Sequence, residues 1–135
     1  MQVRQSGADF VSGWAAHGAQ LTAAIELFYD RFVVIFVDEA QAQATGCSID
    51  RSVYWIQGLE EQLNCSFTDR LVLAYRDPAG ELQQARMADL QEMLANGHLS
   101  ADTIVFNNLV QTKQAFENEW EVPVAQSWHK QLLPA

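Results

Sequence analysis

Residues 21–37 read LTAAIELFYDRFVVIFV, and this stretch decides the class of fold that the sequence predicts. Apolar residues occupy every second position from Leu21 to Tyr29, which is the period of a β-strand. Asp30-Arg31 breaks the pattern, and residues 32–37 are β-branched or aromatic throughout, as in a strand that is buried on both faces. The stretch therefore predicts a β-hairpin whose second strand is central in a sheet.

Helices and further strands are expected on both sides of this hairpin. Ser6 and Asp9 form a capping-box pattern near the start of a helix over residues 8–17. Ser48 is a suitable N-cap for a second helix that Asn64 ends. The apolar stripe of this helix consists of Ile49, Val53, Ile56, Leu59 and Leu63. Strands are predicted at residues 70–76, 81–86 and 103–106, a turn at residues 77–80, and shorter helices at residues 88–95 and after Thr112.

The order of these elements predicts an α+β protein that forms a single domain over residues 1–135. Neighbouring strands come in hairpins and helices separate them, which is typical of a mainly antiparallel sheet of about five strands covered by three to four helices. A chain of 135 residues is as long as one ordinary domain. It can bury a core without a metal, a disulfide or a cofactor.

The charge balance argues against nucleic acid and membrane partners. The chain has 8 Lys and Arg against 17 Asp and Glu, a net charge of −9, and no two basic residues are adjacent. Nucleic acid binding takes its affinity from clustered Lys and Arg, and anionic membrane surfaces repel an acidic protein. We therefore expect a protein or small-molecule partner, and the sequence leaves the oligomeric state open.

The sequence also predicts a cytoplasmic protein. Its first residues, MQVRQSGADF, lack the apolar stretch of a secretion signal, and the apolar run at residues 32–37 is too short to span a bilayer. In that compartment Cys47 and Cys65 are expected to be reduced thiols.

Cys47 is the candidate nucleophile, because it lies in Gly46-Cys47-Ser48 at the start of the predicted second helix. A thiol at a helix N-terminus is close to free backbone N–H groups and to the positive end of the helix dipole, and both stabilise a thiolate. Such a cysteine serves as a nucleophile or a redox sensor. The alternative is a small buried residue that fills a loop, and Cys65 is expected in the core.

A nucleophilic cysteine needs a base, and the chain has three histidines, His17, His98 and His129. His17 at the end of the first helix and His129 in the C-terminal tail are the candidates to assist Cys47. The sequence leaves open whether either of them lies near Cys47. Each also has a structural alternative, since the dipole at a helix C-terminus favours an imidazolium at His17.

No motif for a metal, a nucleotide or a serine nucleophile occurs in the chain. The spacings HxxxH, HExxH, CxxC, GxxxxGK[ST], GxGxxG and GxSxG are all absent. We therefore expect no cofactor and no metal. A metal-assisted hydrolase built from the histidines with Asp38, Glu39 or Asp50 is kept as a further alternative.

Four more residues are candidates for binding. Trp55 lies off the apolar stripe of the second helix and is expected to be exposed enough for a partner contact. Asp38 ends the predicted central strand, where active-site carboxylates are often found, and Asp50 lies in the first turn of the second helix. Asn107 follows a buried strand and either contacts a ligand amide or bonds loop backbone.

Several stretches resemble one family of small bacterial proteins. They are WAAHG at residues 14–18, RF at 31–32, GCSIDRSV at 46–53, TIVFNNLVQTK at 103–113 and SWH at 127–129. Members of that family are often labelled "ABC transporter ATPase", but this chain lacks a phosphate-binding loop and is too short for such a domain. The resemblance implies a bacterial origin and no particular activity. It also implies that a further N-terminal segment can precede the first helix.

The sequence as a whole favours a non-enzymatic binding or interaction module, because it contains no preassembled catalytic group of residues. Its contact would be an exposed Trp55 face or a groove near Asp38 and Cys47. The first alternative is a thiol-dependent enzyme or redox sensor that uses Cys47.

Overall fold

The computed structural model places the chain in two compact units, Met1–Thr68 and Asp69–Ala135. The structure describes residues 2–16, 19–20, 22–39 and 46–134. These residues contain four α-helices, eight β-strands and two 3-10 helices, and all strand pairs are antiparallel. The predicted α+β class is therefore confirmed.

The hairpin is the centre of the first unit. Its elements are α1 (Gln2–Ser12), β1 (Ala15–Ala16), β2 (Ala19–Gln20), β3 (Thr22–Phe28), β4 (Phe32–Asp38) and α2 (Gly46–Leu63). Strands β3 and β4 pair with Ile25 opposite Ile35 and Ala23 opposite Val37. The hairpin turn begins one residue earlier than the predicted break at Asp30-Arg31, because β3 ends at Phe28 and the turn holds Tyr29 and Asp30 at positive φ.

Helix α1 covers one side of this hairpin. Trp14, which follows α1, is buried among Phe10, Ala23, Ile35 and Val37. Gly7 allows the close approach of α1 to β3, since a Cβ at Gly7 would lie 3.0 Å from Ile25 Cγ2. Because Ala23 and Ile25 alternate with exposed residues, one face of the hairpin is selected for this contact.

The second unit is a four-stranded sheet with helices. Its elements are β5 (Val72–Arg76), β6 (Leu82–Arg86), α3 (Met87–Ala95), β7 (Ile104–Phe106), α4 (Lys113–Glu119), β8 (Glu121–Pro123) and the 3-10 helices η1 (Val124–Gln126) and η2 (Trp128–Leu132). The strand order is β6-β5-β7-β8. Its core consists of Leu73, Leu90, Leu94, Leu99, Val105, Val124 and Leu132.

The prediction of one sheet of about five strands is wrong. Strands β3 and β4 form a two-stranded sheet, and β5 to β8 form a separate one. Within its unit, β4 pairs with β3, and residues 32–37 are half-buried instead of buried. The apolar run predicted a central strand because composition reports the tendency to be buried and not the number of neighbouring strands.

The starts of the first two helices also differ from the prediction. Helix α1 begins at Gln2 and ends at Ser12, so Ser6 lies inside it and is not its N-cap. Helix α2 begins at Gly46, so Ser48 is likewise internal, and it is buried. Both serines take part in tertiary contacts that the local sequence does not contain: Ser6 Oγ accepts from Trp55, and the Ser48 carbonyl accepts from Trp14. Among the described residues, no helix is both long enough and apolar enough to cross a bilayer.

Candidate functional site

One side of α2 is fixed against α1 by two tryptophans. The Trp14 indole nitrogen donates a 2.8 Å hydrogen bond to the carbonyl oxygen of Ser48, and the Trp55 indole nitrogen donates a 2.9 Å bond to Ser6 Oγ. The Trp55 ring also stacks on Phe10, with 5.2 Å between centroids and 14° between planes. These contacts determine which side of α2 is buried.

Away from these packed residues, α2 exposes three large apolar residues. Ile49 is 51% exposed, Val53 is 42% exposed and Tyr54 is 71% exposed. Ile49 and Val53 are four residues apart and therefore adjacent on the helix surface, whereas Tyr54 lies about 100° further around the helix from Val53. We call Ile49, Val53 and Tyr54 the exposed α2 face. Such a cluster on a helix whose other side is buried is a feature of interaction surfaces.

The expectation of an exposed Trp55 is wrong. Trp55 is half-buried, because its ring packs on Phe10 and its nitrogen bonds to Ser6. The adjacent residue Tyr54 is the exposed aromatic. The predicted apolar stripe of α2 consists of Ile49, Val53, Ile56, Leu59 and Leu63. Within this stripe Leu59 is buried, while Ile49 and Val53 are exposed.

Cys47 is exposed at the second position of α2, so its sulfur is open to solvent, as a thiol function requires. Asp50 lies three residues further along α2 and is also exposed. Cys65 is exposed too, so its prediction as a core residue is wrong. It follows Asn64, whose positive φ of 51° ends α2, and its backbone N–H donates to the carbonyl oxygen of Glu60.

His129 is fully buried in the second unit. Its Nδ1 lies 2.7 Å from Ser127 Oγ, and its Nε2 has no hydrogen-bond partner. Burial without a compensating charge lowers the pKa of His129 from 6.5 to about 4. The imidazole is therefore neutral at pH 7.

The predicted catalytic residues Cys47 and His129 belong to different units, Cys47 to the first and His129 to the second. His17 lies outside the described residues. His98 is exposed, and its backbone N–H donates to Asn96 Oδ1 after α3. A Cys47–histidine pair therefore stays a prediction.

The remaining binding candidates occupy separate places. Asp38 is exposed at the end of β4, opposite Thr22. Asn107 is half-buried after β7, where its Oδ1 accepts a 3.1 Å bond from the Leu109 N–H and its own N–H donates to the Trp120 carbonyl. This is the loop-backbone role that was the alternative for Asn107. A ligand role for either residue stays a prediction.

Within the described part of the chain, no group of three His, Cys, Asp or Glu residues is placed to hold a metal ion. The metal-assisted hydrolase therefore has no ligand set among those residues. No protein-family model matches the chain, and neither a curated protein nor a solved structure is significantly similar to it.

Sequence reasoning missed the exposed α2 face, although one signal was available. Gly46, Asp50, Gln57 and Glu61 are exposed on the same side of α2 as Val53. A helical position surrounded by small and polar neighbours is more often at the surface than in the core. The apolar stripe predicted burial instead of exposure, because Ile49 and Val53 have the same helical spacing as the buried residues of the stripe.

Proposed function

We propose that this chain is a non-enzymatic interaction module that binds a partner protein through the exposed α2 face. The observation that carries the proposal is the exposure of the adjacent residues Ile49 and Val53, and of Tyr54 further around the same helix, while Ser48 and Leu59 of that helix are buried. An amphipathic helix offered to an apolar groove is a recurrent mode of protein recognition.

The energetics of α2 support this use. Apolar surface that becomes buried contributes about 25 cal/mol per Å², and Tyr is a frequent centre of binding energy. The Trp14 and Trp55 hydrogen bonds hold α2 in place before a partner arrives. Because the helix is already ordered, binding costs less conformational entropy than the folding of a flexible segment.

The charge around the face indicates the chemistry of the partner. Asp50 and Glu61 are exposed on the same side of α2, and the chain carries a net charge of −9. A partner with an apolar groove edged by Lys or Arg complements this surface. A second copy of the chain would bring the same acidic residues against it, and like charges oppose that contact.

The test is site-specific photo-cross-linking with a benzophenone amino acid at position 54. Leu109 in the second unit is the matched control, since it is 66% exposed. In lysate of the native host we expect one discrete adduct from position 54 and none from position 109. Unlabelled wild-type protein should suppress the adduct, and the Ile49→Ser/Tyr54→Ser variant should not.

The outcomes separate the alternatives. Equal labelling from positions 54 and 109, or no suppression by wild type, would remove the proposal. An adduct of twice the chain mass would identify a second copy as the occupant and would overturn the basic-edged partner. Both serines replace exposed residues, so the variant should keep wild-type stability to within about 0.5 kcal/mol.

A thiol-dependent enzyme or redox sensor is the second candidate, because Cys47 is exposed at the start of α2. A nucleophilic thiol must be reachable by its substrate, and a buried sulfur would have removed this alternative. The comparison that tests it uses the second exposed cysteine, Cys65, and is given in the Discussion.

A further inference from the structure

His129 lacks a partner at Nε2 in both of its neutral forms. If Ser127 Oγ donates to Nδ1, then Nε2 carries a proton that no acceptor receives. If Nδ1 donates to Ser127 Oγ, then Nε2 has a lone pair that no donor reaches. Protonation raises the cost of the unpaired Nε2, because the imidazolium must donate from both nitrogens and only the Ser127 hydroxyl is available as an acceptor.

Among the described residues of the second unit, no buried carboxylate is present to compensate for such a cation. In the described part of the second unit, the buried polar residues are Ser127 and His129. Helices η1 and α3 pack against η2; η1 has no charged residue, and Asp89 and Glu92 of α3 are exposed. Lys130, next to His129, is exposed and has the same sign as an imidazolium.

Two aromatic residues near His129 do not supply a hydrogen-bond partner for its Nε2. Trp128 stacks on His129 with 4.0 Å between ring centroids, and an aromatic face attracts a cation but offers no acceptor to Nε2. Tyr75, which packs against the core that η2 joins, has its hydroxyl 4.0 Å from Met93 Sδ. The neutral imidazole is therefore the form that this site accommodates.

Helix η2 is also an element that can separate from the rest of its unit. Its backbone hydrogen bonds run within residues 124–133: Ser127 N–H to Val124, Lys130 N–H to Ser127 and Leu133 N–H to Lys130. Helix η1, by contrast, is tied to the body through Val124 and Ala125, whose N–H groups donate to the carbonyls of Thr103 and Ala101. Side chains, chiefly Leu132, hold η2 to the core.

We propose that η2 is an acid-sensitive latch, in which protonation of His129 releases Trp128–Leu132 from the core of the second unit. Release brings His129 into water, where both nitrogens of the imidazolium find partners. It also uncovers the apolar surface that Leu132 occupies among Leu90, Leu94 and Leu99.

The size of the effect follows from linkage. The pKa of His129 is about 4 with η2 in place and 6.5 in water. As pH falls from 6.5 towards 4, the released form binds a proton that the closed form does not, so the opening constant rises up to about tenfold per pH unit. Above pH 6.5 both forms are neutral, and opening is independent of pH.

Native-state hydrogen exchange of the backbone amides tests the latch, with exchange rates corrected for the pH dependence of the chemistry. Between about pH 6.5 and about pH 4.5 we expect protection at residues 130–133 to fall about tenfold per pH unit. Amides of β5 and β7 exchange through unfolding of the whole unit, so their protection should be higher than that of residues 130–133 at every pH. The His129→Gln variant should lose the pH dependence, and His98→Gln, at an exposed histidine, should keep it.

Two results would overturn the proposal. One is protection at residues 130–133 that does not change with pH. The other is protection at residues 130–133 that equals the protection of β5 and β7 at every pH, which would mean that the whole unit unfolds and that η2 does not open by itself. The dependence of protection on pH in the wild type is enough to distinguish these cases, so the test does not depend on the folding of His129→Gln.

Discussion

The indole nitrogen of Trp14 donates a 2.8 Å hydrogen bond to the carbonyl oxygen of Ser48, and both residues are buried. The bond joins the segment after α1 to the first turns of α2, across 34 residues of sequence. It therefore fixes the rotation of α2 about its axis, and with it the exposure of Ile49, Val53 and Tyr54.

Replacement of Trp14 by Phe removes the donor but keeps an aromatic ring. The Ser48 carbonyl loses a buried partner and the smaller ring leaves space, so we expect the free energy of unfolding to fall by about 2 kcal/mol. Urea titration followed by circular dichroism measures this loss. The control is Trp55→Phe, which breaks the half-buried bond to Ser6. Because water can replace that bond, a loss as large as that of Trp14→Phe would contradict the argument.

Two glycines of the first unit should respond to alanine with opposite signs. At Gly7 the new Cβ would lie 3.0 Å from Ile25 Cγ2, and we expect a loss of about 1–3 kcal/mol from overpacking. At Gly58, inside α2, nothing lies within 4 Å, and alanine should stabilise by about 0.5–1 kcal/mol because it is the better helix former. Thermal and urea unfolding of both variants measure the difference. A stabilising Gly7→Ala would show that α1 does not pack closely on β3.

The pH dependence of global stability should report the burial of His129. Its folded pKa of about 4 lies below the value of 6.5 in water, so the unfolded chain binds the proton first as pH falls. Stability from this group is complete above pH 6.5 and is lost as pH falls from 6.5 to about 4, by about 3 kcal/mol in total. Urea titrations across this range should show the loss in the wild type and not in His129→Gln.

Two half-buried carboxylates, Glu60 and Asp77, also contribute to acid sensitivity, and the comparison of the wild type with His129→Gln removes their contribution. Backbone N–H donation, from Phe67 to Glu60 and from Glu81 to Asp77, lowers the pKa of each carboxyl. Their stabilising effect is present at neutral pH and is lost as pH falls through the lowered values. Both proteins share this loss, so only the difference between them belongs to His129. An identical pH profile in both proteins would show that the imidazole is solvated in the folded state.

The two thiols provide a matched test of the second candidate function. Both are exposed, but Cys47 lies in the first turn of α2 and Cys65 lies beyond its C-terminal end. If Cys47 is a poised nucleophile, iodoacetamide at neutral pH should alkylate it at least severalfold faster than Cys65, because the thiolate is the reacting form. Mass spectrometry of Cys47→Ser and Cys65→Ser gives the two rates. Equal rates would leave the thiol enzyme without its nucleophile.

Local chemistry made several elements predictable from the sequence. Thr112 caps α4 by accepting a bond from the Ala115 N–H, as expected of a threonine before a helix. The turn at residues 77–80 forms with Gly80 at φ 82°, and its N–H donates to the Asp77 carbonyl. Gly97, also at positive φ, follows α3 as predicted. Each of these signals involves residues within three or four positions of one another, so the cap or turn can be predicted without knowledge of distant contacts.

The candidate site was less predictable, because its position depends on which side of α2 is packed. The start of α2 near Cys47 could be inferred, since it depends on neighbouring residues, but the sequence left open whether Cys47 is exposed. Tyr54 could not be distinguished from Trp55, because two adjacent aromatics on an amphipathic helix have similar hydrophobicity. The hydrogen bond of Trp55 to Ser6 and the stacking of its ring on Phe10 decide which of the two is exposed, and both partners lie in α1.

By itself the sequence determined the α+β class, the β3–β4 hairpin, and the caps and turns that punctuate the second unit. Periodicity and turn chemistry act within a few residues, so the order of the amino acids is enough to predict these elements. Only the tertiary structure decided the division of the strands into separate sheets, the exposure of Ile49 and Val53, and the burial of His129 without a partner at Nε2. These features arise from contacts between residues far apart in the chain, and a one-dimensional pattern does not specify which distant surfaces meet.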